Sequence, residues 1–566
     1  MSRYAVGLDY GTQSARAVIV DLEDGREVAV EVYEYRNGVI DERLPAPDAD
    51  VVLGPDWALQ DPEDYLDTLR IAVPRALARA GIDPASVIGI GIDFTSCTML
   101  PTTADGTPLC MIDRYRREPH AWVKLWKHHA AQPEADDVNR VAREQGAPWL
   151  DRYGGRISSE WFFPKALQIL REAPEVYAAA DRIVEAADWL VWMLTGVESR
   201  NTCTAGYKAI WSETEGFPEP SFFAALDPRF ETVVDDKMSR SISRLGTSAG
   251  GLSARAAAWT GLCQGTAVAV ANVDAHVSVP AVTVTRPGSL VAIMGTSICH
   301  IILSETAPAI AGMCGVVKDG VVPGLYGFEA GQSAVGDIFG WFAEHGVPAR
   351  YRDEAREREI GVLDVLEDAA KDLRPGESGL LALDWWNGNR SVLVDTDLSG
   401  LLVGMTLATQ AHEIYRALVE ATAFGTRVIV DALEAGGVPV EQIVACGGLP
   451  AHSPMLMQIY ADVTHRPIRV AASSQTPALG AAMFGALAAG EARGGFATIE
   501  AAAAKMAHLR EESYFPSAAD SATYDRLYAE YLRLHDLFGR GGDPVMKTLK
   551  ALRLQVHAEA STTVPV

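Results

Sequence analysis

The stretch YAVGLDYGTQSARAVIVDL, residues 4–22, sets the fold. An apolar run reaches Asp9, turns through Gly11, Thr12, Gln13 and Ser14, and leaves as a second apolar run. Asp24-Gly25 is a two-residue hairpin signal, and REVAVEVYEY alternates behind it as a third strand. The expected opening is a three-stranded antiparallel meander. A helix is predicted next, over about 61–80, with Asp61 as N-cap, Pro62 in the first turn and Asp64 three residues after the cap. Leu66, Leu69, Val73 and Leu77 form its buried stripe, and Pro74 should kink it. SVIGIGIDFTS (86–96) then reads as a strand covered on both faces. Strand, helix and strand in that order predict an α/β domain.

The opening pattern returns. SLVAIMGTSICHIILS (289–304) is again strand, Gly-Thr-Ser turn and strand, and 284 residues separate Gly11 from Gly295. VEQIVACGGLPAHSPMLMQIYADV (440–463) reads as strand, Gly-Gly turn and helix. That period is too long for a solenoid and suits two similar domains. The expected division is 1–285, 286–545 and a tail over 546–566, with the boundary at VTRPGS.

Size and composition agree with two domains. At 566 residues the chain exceeds one ordinary core, and 48% hydrophobic with 22% charged residues is globular composition. A net charge of −25 excludes a general nucleic-acid binder, which needs a basic face. The seven cysteines, at 97, 110, 203, 263, 299, 314 and 446, form no C-x-x-C pair and read as small core residues of a reduced compartment. MSRYAVGLDYG is no signal peptide, and PALGAAMFGALAAG is too short to span a membrane. A cytoplasmic protein is expected.

The chemistry gathers at the turns. Gly11, Thr12 and Ser14 point N–H and hydroxyl groups at one spot, a concavity that suits phosphate oxygens. Asp9 beside it can hold Mg²⁺ through water, and Arg16 adds positive charge. Gly295, Thr296 and Ser297 offer a second such turn, so two hairpins can clamp one nucleotide. Gly447 and Gly448, before a helix, give a third approach point. Each reads equally well as a turn whose glycine serves geometry. No Gly-Lys dipeptide and no G-x-G-x-x-G after a strand occurs, so neither a Walker A loop nor a dinucleotide fingerprint is present. In VAVANVDAHVS (268–278), Asp274 reads as a helix N-cap or as a proton acceptor, and the roles are compatible. His128, His129 and His276 lack metal spacing and read as structural or surface residues.

Together these segments resemble the FGGY carbohydrate kinases of the actin-like ATPase superfamily, over about residues 3–490. GLDYGTQSARAVIVD and MGTSICHIILS resemble the two phosphate motifs, VACGGLPAHSPMLMQ the adenosine motif, and DWWNGNR with GMTLATQAHEIYRALVEATAFGTR the C-terminal signature. GIDFTSCTMLP, RYGGRISSEWFFPKALQIL, TAGYKAIW and PGLYGFEAGQSAVGDIFGWF are similar to the members that phosphorylate ribulose. The resemblance implies two actin-like (ribonuclease H-like) domains with a ligand cleft between them. It also implies ATP and Mg²⁺ as cofactors, a small sugar such as L-ribulose as substrate, and a homodimer.

It makes Asp274 the general base and Asp9 the metal-organising residue. It places Gly11, Thr12, Ser14, Arg16, Gly295, Thr296, Ser297, Gly447, Gly448 and Ser453 at the nucleotide. It places Ser96, Trp126, Lys208 and Glu329 at the sugar, beside Asp274. Ser453 stands where the adenosine motif often has Asn, and Ser96-Cys97 where glycerol kinases carry Arg-Glu, which argues against glycerol. On the residues alone, Lys208 reads as a surface lysine and Glu329 as a cap or salt-bridge partner, but both sit among apolar and small residues, where a charge needs a partner. Another pentulose or polyol kinase, and an actin-like ATPase used as a chaperone module, are the alternatives.

Overall fold

The alternation of the opening segment is carried into the sheet. In the computed structural model, which describes residues 2–45 and 50–562, Tyr4–Tyr10 pairs antiparallel with Ser14–Asp21, and that strand with Glu27–Glu34. Val87–Phe94 lies parallel to Tyr4–Tyr10 on its other side and is buried along its whole length, as its unbroken apolar run requires. Ser248–Gly251, Ala267–Ala269 and Asn272–Val273 complete this seven-stranded sheet.

The second half repeats the order. Gly288–Met294 pairs antiparallel with Ile298–Ser304, that strand with Tyr326–Gln332, and Val440–Cys446 lies parallel to Gly288–Met294. Each half is thus a meander with a parallel strand added through a helical crossover, the actin-like, ribonuclease H-like arrangement. The first sheet draws its strands from residues 4–273 and the second from 288–514.

One helix crosses between the halves. Thr476–Ala489 lies in sequence between two strands of the second sheet, Ile468–Ala471 and Leu509–Tyr514, but packs on the first sheet, against Tyr4–Tyr10 and Val87–Phe94. Its small residues permit the approach: a Cβ at Gly91 would overlap the Ala481 carbonyl oxygen. This is the Ala/Gly-rich run whose shortness argued against a membrane span. Among the described residues no helix is long and apolar enough to cross a membrane. Polar ties also join the halves, from Tyr207 Oη to the Gly327 carbonyl (2.8 Å) and from Thr202 Oγ1 to the Asp319 carbonyl (2.9 Å).

Two expectations are corrected. The helix after Asp61 does start there, with the Asp61 carboxylate accepting from Glu63 N at 3.0 Å, but Thr68–Ala72 is a π-helical turn before Val73–Ala80 resumes. The wider turn precedes Pro74, which lacks an N–H to donate. The segment expected as a tail is a helix over Val545–Thr562, because VMKTLKALRLQ is rich in good helix formers. Residues 563–566 of that segment lie outside the described residues.

Candidate active site

Parallel pairing brings the carboxylates together. Asp9 is the penultimate residue of the first strand and the register partner of Asp93, whose strand pairs on its other side with Asn272, two residues before Asp274. Asp9 Oδ2 accepts from Arg16 Nη1 at 3.2 Å. Burial raises the Asp9 pKa, and Arg16 opposes the shift. Asp93 is fully buried, no N–H or hydroxyl donates to its oxygens among the described residues, and its carboxyl shares a hydrogen bond with that of Asp9. Burial, then the like charges of Asp9 and Asp274, push its pKa well up.

Asp274 is the first residue of the helix Asp274–Ala281, and Val273 holds the capping position. Asp274 Oδ1 still accepts the Ala275 N–H at 2.6 Å, so one oxygen serves the helix start. The other carries no hydrogen bond among the described residues. The Asp274 pKa is pushed up to about 7, by burial first; the Ala275 N–H and Lys208 oppose this, and the negative charges of Asp9 and Glu329 add to it. A carboxylate poised near neutrality is suited to take a proton. Because Asp9 lies in the first half and Glu329 in the second, Asp274 feels both sides of the cleft.

Both turns close on a backbone hydrogen bond from their glycine, the first across four residues and the second across three. Gly11 N donates to Ser14 O at 3.0 Å, and Gly295 N to Ser297 O at 2.9 Å. The second turn is also tied to the next helix, with Val335 N donating to Thr296 O at 2.7 Å. Gly295 and Thr296 are exposed. Gly447 has φ 98°, and a Cβ there would overlap the Met294 carbonyl oxygen, so glycine alone lets the third turn lie against the second hairpin. Gly448 meets no such obstacle. Ser453 caps Pro454–Thr464, its Oγ accepting from Leu456 N at 3.1 Å, and its hydroxyl also hydrogen-bonds Glu367. Beside it lies a cavity of about 680 Å³ lined by residues that include Glu367, Lys371, Arg374, His452 and Met455.

The four residues expected at a sugar differ in how they are bonded. Ser96 Oγ is buried without a partner. Trp126 Nε1 donates to Thr12 Oγ1 at 3.0 Å, linking that loop to the first hairpin. Lys208 Nζ donates to Glu329 Oε1 and Oε2, both at 3.1 Å, so each is the partner the other's burial demands. The pairing holds the Glu329 pKa far below the carboxylate range and raises that of Lys208, against burial in both cases.

Of the two readings of His276, structural or surface, the structure favours the first. It is buried, its Nε2 lies 3.4 Å from Glu329, and its ring is 4.2 Å from that of Tyr207, so it belongs to this cluster. Burial lowers its pKa, against the pull of Glu329. His128 is also buried, while His129 is exposed on its side chain. Asp93 and Arg390 were missed. Arg390 carries no ion pair among the described residues, and the negative charges of Glu160 and Glu329 raise its pKa against burial. The one sequence signal for Asp93 was an acid inside an apolar strand.

Two family models match this chain in succession, the N-terminal domain of the FGGY family of carbohydrate kinases over residues 4–279 and its C-terminal domain over 290–489. The chain belongs to the FGGY family of carbohydrate kinases. A ribulokinase of Halalkalibacterium halodurans is 56% identical over 560 residues, covering 99% of each chain. A ribulokinase of Mycolicibacterium smegmatis is 51% identical over 562 residues, covering 99% of this FGGY chain and 98% of the relative. Among solved structures, a xylulose kinase from Rhodospirillum rubrum superposes with TM-score 0.75 at 24% identity, covering 94% of this chain and 98% of that one. A gluconate kinase from Lactobacillus acidophilus gives TM-score 0.75 at 19% identity, covering 96% and 99%. These two show that the FGGY fold is shared.

Proposed function

We propose that the protein transfers the γ-phosphoryl group of ATP to the 5-hydroxyl of L-ribulose, the entry step of L-arabinose breakdown, in the cytoplasm. The observation that carries this reading is Asp274, with one oxygen on its own helix, the other free, and a pKa near 7. A sugar hydroxyl is a poor nucleophile until a base orients it and accepts its proton. In this reading Asp274 takes the O5 proton as the O5–P bond forms. The bond from the γ-phosphorus to the β-bridging oxygen breaks, and ADP leaves.

The substrate assignment rests on the ribulokinases named above, similar along nearly the whole chain. Gly11, Thr12, Ser14 and Arg16 would meet the phosphates from the first half, and Gly295, Thr296, Ser297 and Gly447 from the second. Gly448 and the cavity beside Ser453 would receive the adenosine end. Ser96, with its unpartnered hydroxyl, Trp126, Lys208 and Glu329 would line the sugar.

Mg²⁺ fits the residues present. Among the described residues no three acidic, His or Cys side chains form a cage, and Mg²⁺ typically takes one or two carboxylates plus substrate phosphates and water. Asp9, with the Asp93 carboxyl beside it, would hold the ion. When bound, Mg²⁺ neutralises charge on the transferring phosphoryl group. Closure of the halves would exclude water, which otherwise competes as acceptor.

The deciding experiment incubates purified protein with ATP, Mg²⁺ and, separately, L-ribulose, D-ribulose, D-xylulose, ribitol and glycerol, and identifies the product. L-ribulose 5-phosphate as the main product is expected. Turnover of xylulose or glycerol with none of either ribulose would overturn the substrate assignment. ATP hydrolysis indifferent to sugar would favour an actin-like ATPase.

A further inference from the structure

We propose that Lys165 is a positioning residue for sugar binding: its buried ammonium ties together the two loops that carry Ser96 and Trp126. This rests on the reading above that those two residues face the sugar.

Lys165 lies on the helix Phe162–Glu172 and has no exposed surface. Its Nζ donates to the Cys97 carbonyl at 2.9 Å and to the Leu125 carbonyl at 2.7 Å. Among the described residues it makes no ion pair, so these two carbonyls are its recorded partners. A buried charge is costly unless its hydrogen bonds are made, so the ammonium holds both carbonyls firmly.

The two carbonyls are not arbitrary. One belongs to the residue after Ser96, the other to the residue before Trp126. Cys97 has φ 61°, a left-handed conformation that a residue with a Cβ adopts only where its surroundings enforce it. A bond on its carbonyl supplies that enforcement, in the turn that buries the unpartnered Ser96 hydroxyl. On the other loop, Trp126 reaches Thr12 Oγ1, so the tie also fixes the sugar loops relative to the first hairpin. Thr12 has an independent anchor, since Gln60 Nε2 donates to its carbonyl at 2.7 Å. Losing Lys165 should therefore loosen the sugar loops and spare the nucleotide turn.

A purely architectural role would make Lys165 one more core residue, whose loss lowers stability and weakens every ligand alike. The full-length Lys165→Met variant separates the two. It keeps the side chain's length and removes the donors. The Kd for L-ribulose, measured without nucleotide, should rise about tenfold or more, as expected for losing charged hydrogen bonds. The Kd for MgATP without sugar should match wild type. Hydrogen exchange should quicken in peptides covering 95–98 and 124–127. Lys165→Gln keeps a donor and should recover part of the sugar affinity. Equal losses of sugar and nucleotide affinity, or unchanged exchange in both loops, would overturn the proposal, as would a Lys165→Gln protein that does not fold. If wild type binds no L-ribulose, the functional reading fails, and the exchange data alone decide whether Lys165 ties the loops.

Discussion

Lys208 Nζ lies 3.1 Å from each carboxylate oxygen of Glu329, and the two residues come from opposite halves of the chain. Both are buried, and His276 packs at the same carboxylate, 3.4 Å away. A buried pair of this kind is a weak source of net stability, but removing one member leaves an uncompensated charge. Lys208→Met should therefore cost about 3–5 kcal/mol in chemical denaturation, and Lys208→Met with Glu329→Leu distinctly less than the two single losses summed. Additive losses would mean that the pair is not coupled in solution.

The pH dependence of stability follows from the same pair. Glu329 has a folded pKa below its ordinary 4.5, so its contribution is present above that value and is lost as pH falls below it. Glu329→Gln should flatten the stability loss of wild type on the acid side of 4.5. Asp274 has the opposite sign. Its folded pKa, about 7, stands above the ordinary 3.8, so the fold favours its protonated form and loses stability as pH rises between those values. Asp274→Asn should melt above wild type at pH 8 and like wild type at pH 3, by calorimetry at both.

With Asp274 as the proposed base, activity should titrate in the same window. The base works when ionised, so kcat/KM with L-ribulose should fall on the acid side with a midpoint near 7 in the free enzyme. Glu329 raises the Asp274 pKa and Lys208 lowers it. Glu329→Gln should therefore move that midpoint to lower pH, and an unmoved or higher midpoint contradicts the electrostatic account.

Much of this was open to a reading of the chain, and the boundary has a physical cause. Hairpins are local: alternation around Asp9–Ser14 and Gly288–Ser304 fixes strand, turn and partner within a few residues. What the sequence hid is non-local. Asp93 matters because parallel pairing sets it beside Asp9 and near Asp274, and no local pattern records that register. His276 reads as structural or surface because it lacks metal spacing, and nothing local shows that the second sheet brings Glu329 to it. The helix Thr476–Ala489 showed its small residues plainly, but not that Gly91 of the first sheet would receive them. The polar end of 546–566 reads as a tail, but the helix formers before that end carry Val545–Thr562 into a helix.

Two neighbouring glycines give a paired test of the nucleotide turn. Gly447→Ala places a Cβ at φ 98° against the Met294 carbonyl, a strain of about 1–3 kcal/mol. Gly448→Ala meets nothing within 4 Å. Calorimetric titration with MgATP should show about tenfold weaker binding or more for Gly447→Ala, with a lowered melting temperature, and weaker binding at wild-type melting temperature for Gly448→Ala, whose new Cβ meets no protein atom and would face the nucleotide, with sugar affinity unchanged in both. Wild-type nucleotide binding by Gly447→Ala would remove this turn from the ATP site.

The most direct test of the account is single-turnover phosphorylation of L-ribulose by Asp274→Asn, alongside its equilibrium affinity for the sugar. Asn keeps an oxygen for the Ala275 N–H but cannot accept a proton from O5. The account predicts near-wild-type sugar binding with a rate lowered roughly a hundredfold to ten-thousandfold. A variant that phosphorylates L-ribulose at the wild-type rate would contradict the assignment of Asp274 as the base.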